Sequence, residues 1–157
     1  MPPATLWDCS DVNFEQAILD LAEIELVNPH RFEMQQLSGI CRMDKERGRV
    51  AAVKQVREDD FWVRGHFPGR PLMPGVLMLE AAAQMVSYAI RLMREDEVLV
   101  GLSGVEGAKF RGAVVPPCRL DMIGQLVENR SRRFSCDTQG FIDGVMVFEA
   151  RIIGTPL

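Results

Sequence analysis

Only two histidines, His30 and His66, occur in this chain of 157 residues, and its four cysteines are scattered. Cys9, Cys41, Cys118 and Cys136 form no CxxC pair, and two histidines do not complete a zinc set with them, so no metal site is expected. Reduced thiols in a cytoplasmic protein are the simplest reading. A basic surplus is missing as well. The 18 Lys and Arg stand against 22 Asp and Glu, a formal net charge of −4, which argues against nucleic acid as a general partner. MPPATLWDCSD contains no basic stretch followed by an apolar one, so no secretory leader is expected there. The greasiest segment, residues 76–93, is interrupted by Glu80, Gln84 and Arg91, and reads as a buried helix with no membrane insertion. Repeats and low-complexity linkers are absent, so residues 1–157 are expected to form one domain.

Within that frame the pattern changes along the chain. Residues 10–28 suggest an N-terminal helical segment. Ser10 or Asp11 can cap it, Phe14, Ile18 and Leu21 fall on one face, and Pro29 ends it. QLSGICRM and RVAAVKQV read as two strands around the polar turn DKERG. A Pro/Gly-rich loop over residues 65–75 leads into the long apolar helix, with Pro74 at its start and Arg91 and Arg94 near its C-terminal end. After Glu95 come VLVGLSGV, AKFRGAVV, RLDMIGQLVE, RRFSCDTQGF and VMVFEARII, separated by turns that include the Asp-Gly pair of FIDGV. Strand and helix do not alternate, so the expected class is α+β: a curved antiparallel sheet against one long central helix.

The chemistry concentrates in GHFPGRPLMPGVLMLEAAAQ, residues 65–84. On a helix, Glu80, Gln84, Ser87 and Arg91 are spaced four, three and four apart, which makes one narrow polar stripe. The stripe can simply face water. Alternatively, a helix so apolar elsewhere is nearly surrounded by protein, and Glu80 lies in a crevice where burial disfavours its charged form and suits it to general acid work. Gly65, Pro68, Gly69, Pro71, Pro74 and Gly75 make the preceding loop stiff and slim. Its end offers the unpaired N–H groups of Gly75 and Val76 to a developing oxyanion. A loop histidine such as His66 can be structural, but beside a candidate acid it also fits a general base. His30, in NPHRF, reads as structural, capping a turn.

The block GHFP…PGVL…E…AQ, together with NPHRF and AKFRGAVVP, closely resembles the β-hydroxyacyl-acyl carrier protein dehydratases of the FabZ type, in the hotdog-fold superfamily. The resemblance covers most of the chain, and glutamate at position 80 favours the FabZ type over the dehydratase-isomerase branch, which uses aspartate there. It implies a homodimer joined edge to edge through its sheets, extending to a trimer of dimers, with catalytic His66 from one copy facing Glu80 of the other. It also implies elimination of water from a (3R)-hydroxyacyl thioester, a step of fatty acid or related lipid or polyketide biosynthesis. His66 would take the α-proton, Glu80 would protonate the departing hydroxyl, and Gly75 and Val76 would bind the thioester carbonyl.

Gln84 would hydrogen-bond the carboxyl or its water, or else be a buried amide satisfied by backbone. No metal or diffusible cofactor is implied, the substrate being carried on the phosphopantetheine of acyl carrier protein. Phe67, Met73, Leu77 and Met78 are candidates for the acyl tunnel or for plain core. Acidic carrier protein would dock on basic residues: Arg64, Lys109 and Arg111, with Arg130, Arg132 and Arg133 reading better as a solvated hairpin turn. Two stretches depart from the family pattern. EMQQLSGI places Glu33, Gln35 and Gln36 where apolar residues are expected, and RGAVVPPC carries Gly112, Pro117 and Cys118. Two rival functions remain: a hotdog acyl thioesterase and a non-catalytic acyl-binding or scaffold paralogue.

Overall fold

Six strands join in one antiparallel sheet in the computed structural model, which describes residues 3–157. They are β1 (Gly39–Asp44), β2 (Arg49–Val56), β3 (Val100–Phe110), β4 (Cys118–Arg130), β5 (Arg133–Ile142) and β6 (Val145–Pro156), in the spatial order β1-β2-β4-β5-β6-β3. Among the described residues the α-helices are α1 (Leu21–Glu25) and the long α2 (Gly75–Arg94), with a single 3-10 turn over Phe32–Met34 between α1 and β1. The sheet curves around α2, which packs against β2, β3, β4, β5 and β6. This is the α+β hotdog arrangement expected from the sequence.

The core explains why α2 lies there. Ala81, Ala82, Met85 and Ile90 are sealed from solvent and share one apolar cluster with Val50, Leu120, Met122, Phe148 and Ile152 from the strands. Small alanines let the helix approach the sheet closely, while Met85 and Ile90 fill the remaining space. α2 is long and apolar enough to cross a membrane by length and composition, yet these faces are spent on the sheet. Arg91 and Arg94 lie in its last turn, where cations favour the dipole, and Glu95 ends it in a left-handed conformation at φ 55°.

The N-terminal helix differs from expectation. Helix α1 covers only Leu21–Glu25, capped by a reciprocal pair in which the Asp20 side chain accepts from Glu23 N–H and Glu23 accepts from Asp20 N–H. The preceding stretch is turns and extended chain. Ile18 and Leu19 N–H donate to Ile40 O and Ile40 N–H returns a bond to Leu19 O, so residues 18–19 pair with β1. Earlier still, Trp7 and Val12 are buried on the second face of the sheet with Ala51, Val53, Ile123 and Phe141. The Trp7 indole donates to Gly124 O at 3.1 Å. Edge pairing and Trp7 burial outcompete the helical periodicity of Phe14, Ile18 and Leu21, of which Ile18 and Leu21 are left exposed.

One further difference matters for the site. VLVGLSGV and part of AKFRGAVV are a single strand, β3, with register irregularities around Ser103 and Gly107. The outer side of β1 is partly paired by residues 18–19, whereas β3 forms the opposite edge with no strand beyond it among the described residues.

Candidate active site

The loop before α2 is pinned by backbone hydrogen bonds at every corner. His66 N–H donates to Trp62 O, Leu72 N–H to His66 O and Met73 N–H to Val114 O, while Phe67 and Arg70 bond each other across a turn containing Gly69 at φ 74°. The His66 ring is stacked on Phe67, with centroids 4.3 Å apart. His66 Nδ1 lies 2.7 Å from Leu72 O. A carbonyl only accepts, so this contact places the proton on Nδ1 and leaves Nε2 with a free lone pair. A neutral imidazole held in that tautomer is equipped to remove a proton.

His66 lines a cavity of about 400 Å³ with Met73, Gly75, Val76, Met78 and Phe110. Gly75 and Val76 open α2, so their amides have no acceptor inside the helix. Space at position 75 is tight: an added Cβ would stand 2.8 Å from the edge of the half-exposed Phe110 ring, so that the ring or the helix start would have to shift. Of the four residues named for the tunnel, Met73 and Met78 line this cavity, while Phe67 is exposed on its stack with His66 and Leu77 packs against the main core.

Glu80 lies elsewhere in the same chain, against a second cavity of about 180 Å³ bounded by Ala83, Ser87, Leu102 and Phe134. Its side chain retains 24% exposure, so it is neither open on the surface nor sealed. Gln84, one turn on and buried, donates from Nε2 to Glu80 Oε1 at 2.8 Å and also to Met34 O. The Gln84 oxygen accepts from Gln36 N–H at 2.8 Å. Both alternatives drawn for Gln84 therefore hold together: backbone satisfies the amide and the amide orients the carboxyl. The departure EMQQLSGI takes part, since Gln36 supplies the backbone N–H that fixes which way the amide points.

The sequence reads His30 as structural, and the structure places it at the candidate acid. Its Nε2 is 3.7 Å from Glu80 Oε1, and its ring lines the same cavity. Burial lowers the imidazole's affinity for a proton below the ordinary value of 6.5, and Arg31 adds to this, while Glu80 pulls the other way. Burial is the larger effect, so the contact is a neutral imidazole beside a carboxyl and not an ion pair. Asn28 brings it there, donating from Nδ2 to the backbone oxygen of Gln84. The signal available in the sequence was scarcity: one of two histidines sits in NPHRF, and NPHRF belongs to the resembling blocks.

The remaining sequence candidates divide by what they touch. Lys109 and Arg64 are exposed with no carboxylate in ion-pair range among the described residues, whereas Arg111 is paired with Glu149 at 3.2 Å. Arg130 and Arg133 both pair with Glu128 beside the β4–β5 turn. All four cysteines are free thiols, and burial pushes Cys136 up to about 12. Among the described residues, no group of three or more His, Cys, Asp or Glu is placed to hold a metal ion.

The profile of the FabA-like domain matches residues 28–151. The 3-hydroxyacyl-[acyl-carrier-protein] dehydratase FabZ of Campylobacter jejuni is 35% identical over 140 residues, covering 86% of this chain and 95% of the relative. The protein of the same name from Bartonella quintana is 38% identical over 138 residues, covering 85% and 87%. Among solved structures, the dehydratase heterocomplex ApeI:P from Xenorhabdus doucetiae superposes with a TM-score of 0.73 at 17% identity, over 85% of this chain and 90% of that one. That likeness confirms the fold.

Proposed function

The chain belongs to the FabA-like domain family, and on that footing we propose that it is a (3R)-3-hydroxyacyl-acyl carrier protein dehydratase of the FabZ type, a hydro-lyase of fatty acid or related biosynthesis. The relatives' identity over most of both chains supports the activity. The site reading rests on one structural observation: His66 and Glu80 occupy separate cavities that border opposite ends of β3. The Glu80 cavity touches Val100, Gly101 and Leu102 at the start of the strand, and the His66 cavity touches Phe110 at its end. Antiparallel pairing of β3 with β3 of a second copy sets the start of one strand beside the end of the other. Each Glu80 then approaches the His66 of its neighbour. The uncovered edge with exposed Leu102 and Phe110 supports such pairing, because a long unpaired edge strand is otherwise an association hazard.

In that arrangement His66 Nε2 removes the α-proton, and the electrons of the C–H bond form the Cα=Cβ double bond. The Cβ–O bond breaks, and the oxygen leaves as water with a proton from Glu80. Gly75 and Val76 N–H groups hold the thioester oxygen as negative charge develops there, at a helix start whose dipole favours it. The thioester itself acidifies the α-proton, so the chemistry calls on no diffusible cofactor. The cycle closes when the proton gained by His66 is returned through solvent to Glu80. Carrier protein docks, on this reading, against the exposed cations Arg64 and Lys109 near the His66 loop. The free thiols fit a cytoplasmic setting.

Purified protein given a (3R)-hydroxyacyl thioester of acyl carrier protein should produce an enoyl thioester that absorbs in the ultraviolet, and His66→Ala should abolish it. Release of free carrier thiol in place of the enoyl product would identify a thioesterase. No change at all with an intact carrier substrate would identify a binding or scaffold protein.

A further inference from the structure

The environment of Glu80 distinguishes its two oxygens. Oε1 accepts from Gln84 Nε2 at 2.8 Å and faces His30 Nε2 at 3.7 Å, while Oε2 has no hydrogen-bond partner among the described residues. The Gln84 amide cannot turn over, because its oxygen is held by Gln36 N–H and its nitrogen by Met34 O. Gln84 is therefore fixed as a donor toward Glu80.

The tautomer of His30 follows from its other nitrogen. Nδ1 is buried and has no partner. A proton there would be a buried donor with nothing to receive it, which is the costlier of the two ways to leave a ring nitrogen unpaired. The proton belongs on Nε2, the atom that faces Glu80. Two N–H groups, one from Gln84 and one from His30, thus converge on the same carboxylate oxygen. At 3.7 Å the second is too long for a made hydrogen bond, and a closure of about 0.8 Å completes it. Catalytic contacts commonly tighten in this way once substrate fills the site.

We propose that His30 is a positioning residue for Glu80: its Nε2–H joins that of Gln84 in holding Oε1 as the acceptor, so that the transferable proton rides on Oε2. This rests on the dehydratase reading for its chemical consequence. When the Oε2–H bond breaks and the proton passes to the departing hydroxyl, negative charge remains on the carboxylate. Two preset donors on Oε1 stabilise that charge as it forms. His30 acts through the carboxyl, and it comes from the same chain as the Glu80 it orients.

The contact is tested without substrate by long-range ¹⁵N–¹H correlation of the imidazoles. With only two histidines, His66→Ala assigns the remaining signals. The expected spectrum at neutral pH shows His30 uncharged and protonated at Nε2, with a shift that moves in Glu80→Gln. An Nδ1-protonated or charged His30 overturns the proposal. Kinetics supply the second readout. His30→Phe, which keeps a ring but no donor, should lower kcat roughly tenfold with little change in KM, and His30→Gln, which restores an N–H at a similar reach, should recover most of that loss. Equal rates for the two variants, or a loss confined to KM, contradict it. Absence of wild-type turnover would sink the dehydratase reading instead, and the spectrum would still decide the contact.

Discussion

Gln84 orients Glu80 from one helical turn away: the amide nitrogen donates to the carboxyl at 2.8 Å while the amide oxygen is held by the backbone N–H of Gln36. The carboxyl is thereby tied to the loop carrying residues 34–36 through a single buried side chain. Replacing Gln84 with Leu leaves Gln36 N–H and Met34 O without partners. The variant should lose about 1–3 kcal/mol of stability, read by denaturant unfolding, together with a large part of kcat. Gln84→Glu should be worse for activity, since a second carboxylate would then face Glu80 and the Met34 oxygen.

Gly75 and Phe110 make a second testable pair. A methyl at position 75 meets the Phe110 ring at 2.8 Å, and that ring must move or the helix start must shift. Gly75→Ala should lower kcat by roughly tenfold through misplacement of the oxyanion-binding amides. Adding Phe110→Leu should recover part of the loss, a coupling measurable in a double-mutant cycle. Additive losses would show that the clash is not the cause.

Carrier docking is checked by charge reversal. Lys109→Glu and Arg64→Glu should each raise KM for the carrier-borne substrate several-fold and flatten its dependence on salt, while leaving turnover of a small thioester substrate unchanged. Arg130→Glu should do neither, because Arg130 already shares Glu128 with Arg133 in the hairpin turn.

Stability should fall on mild acidification through His30. Burial is the main cause of its lowered proton affinity, so the unfolded chain binds a proton at pH values where the folded chain does not. Below the unfolded value of 6.5, each further drop in pH favours the unfolded state until the folded imidazole also titrates. Thermal unfolding of wild type should therefore show a lower midpoint near pH 5.5 than near pH 7.5, by more than in His30→Gln. An identical pH response in the two proteins would remove His30 as the source.

Much of this was legible from local pattern. The helix from Pro74 to Arg94 follows from alanine and leucine spacing and its caps, and the Asp143–Gly144 turn joining β5 to β6 adopts the positive φ values that an Asp-Gly pair permits. His66, Glu80, Gly75, Val76 and Gln84 were all singled out by residue type and spacing. What local pattern does not contain is pairing across long separations. The bond from Asn28 to Gln84 spans 56 residues and carries His30 to Glu80. Likewise, residues 18–19 join β1 because Trp7 and Val12 are buried on the sheet's second face, a tertiary reward that overrides the helical period of residues 11–21. The polar run EMQQLSGI looked like a departure from a hydrophobic strand. Its role appears only once Gln36 is seen against Gln84.

The central claim is that each reaction centre draws its base and its acid from different copies of the chain. Differently tagged His66→Ala and Glu80→Gln chains, each inactive alone, can be co-expressed and the mixed dimer isolated. One of its two centres then holds both His66 and Glu80 intact, and the account predicts about half the wild-type activity per dimer. A mixed dimer as inactive as its parents would place both groups within one chain and would contradict the account.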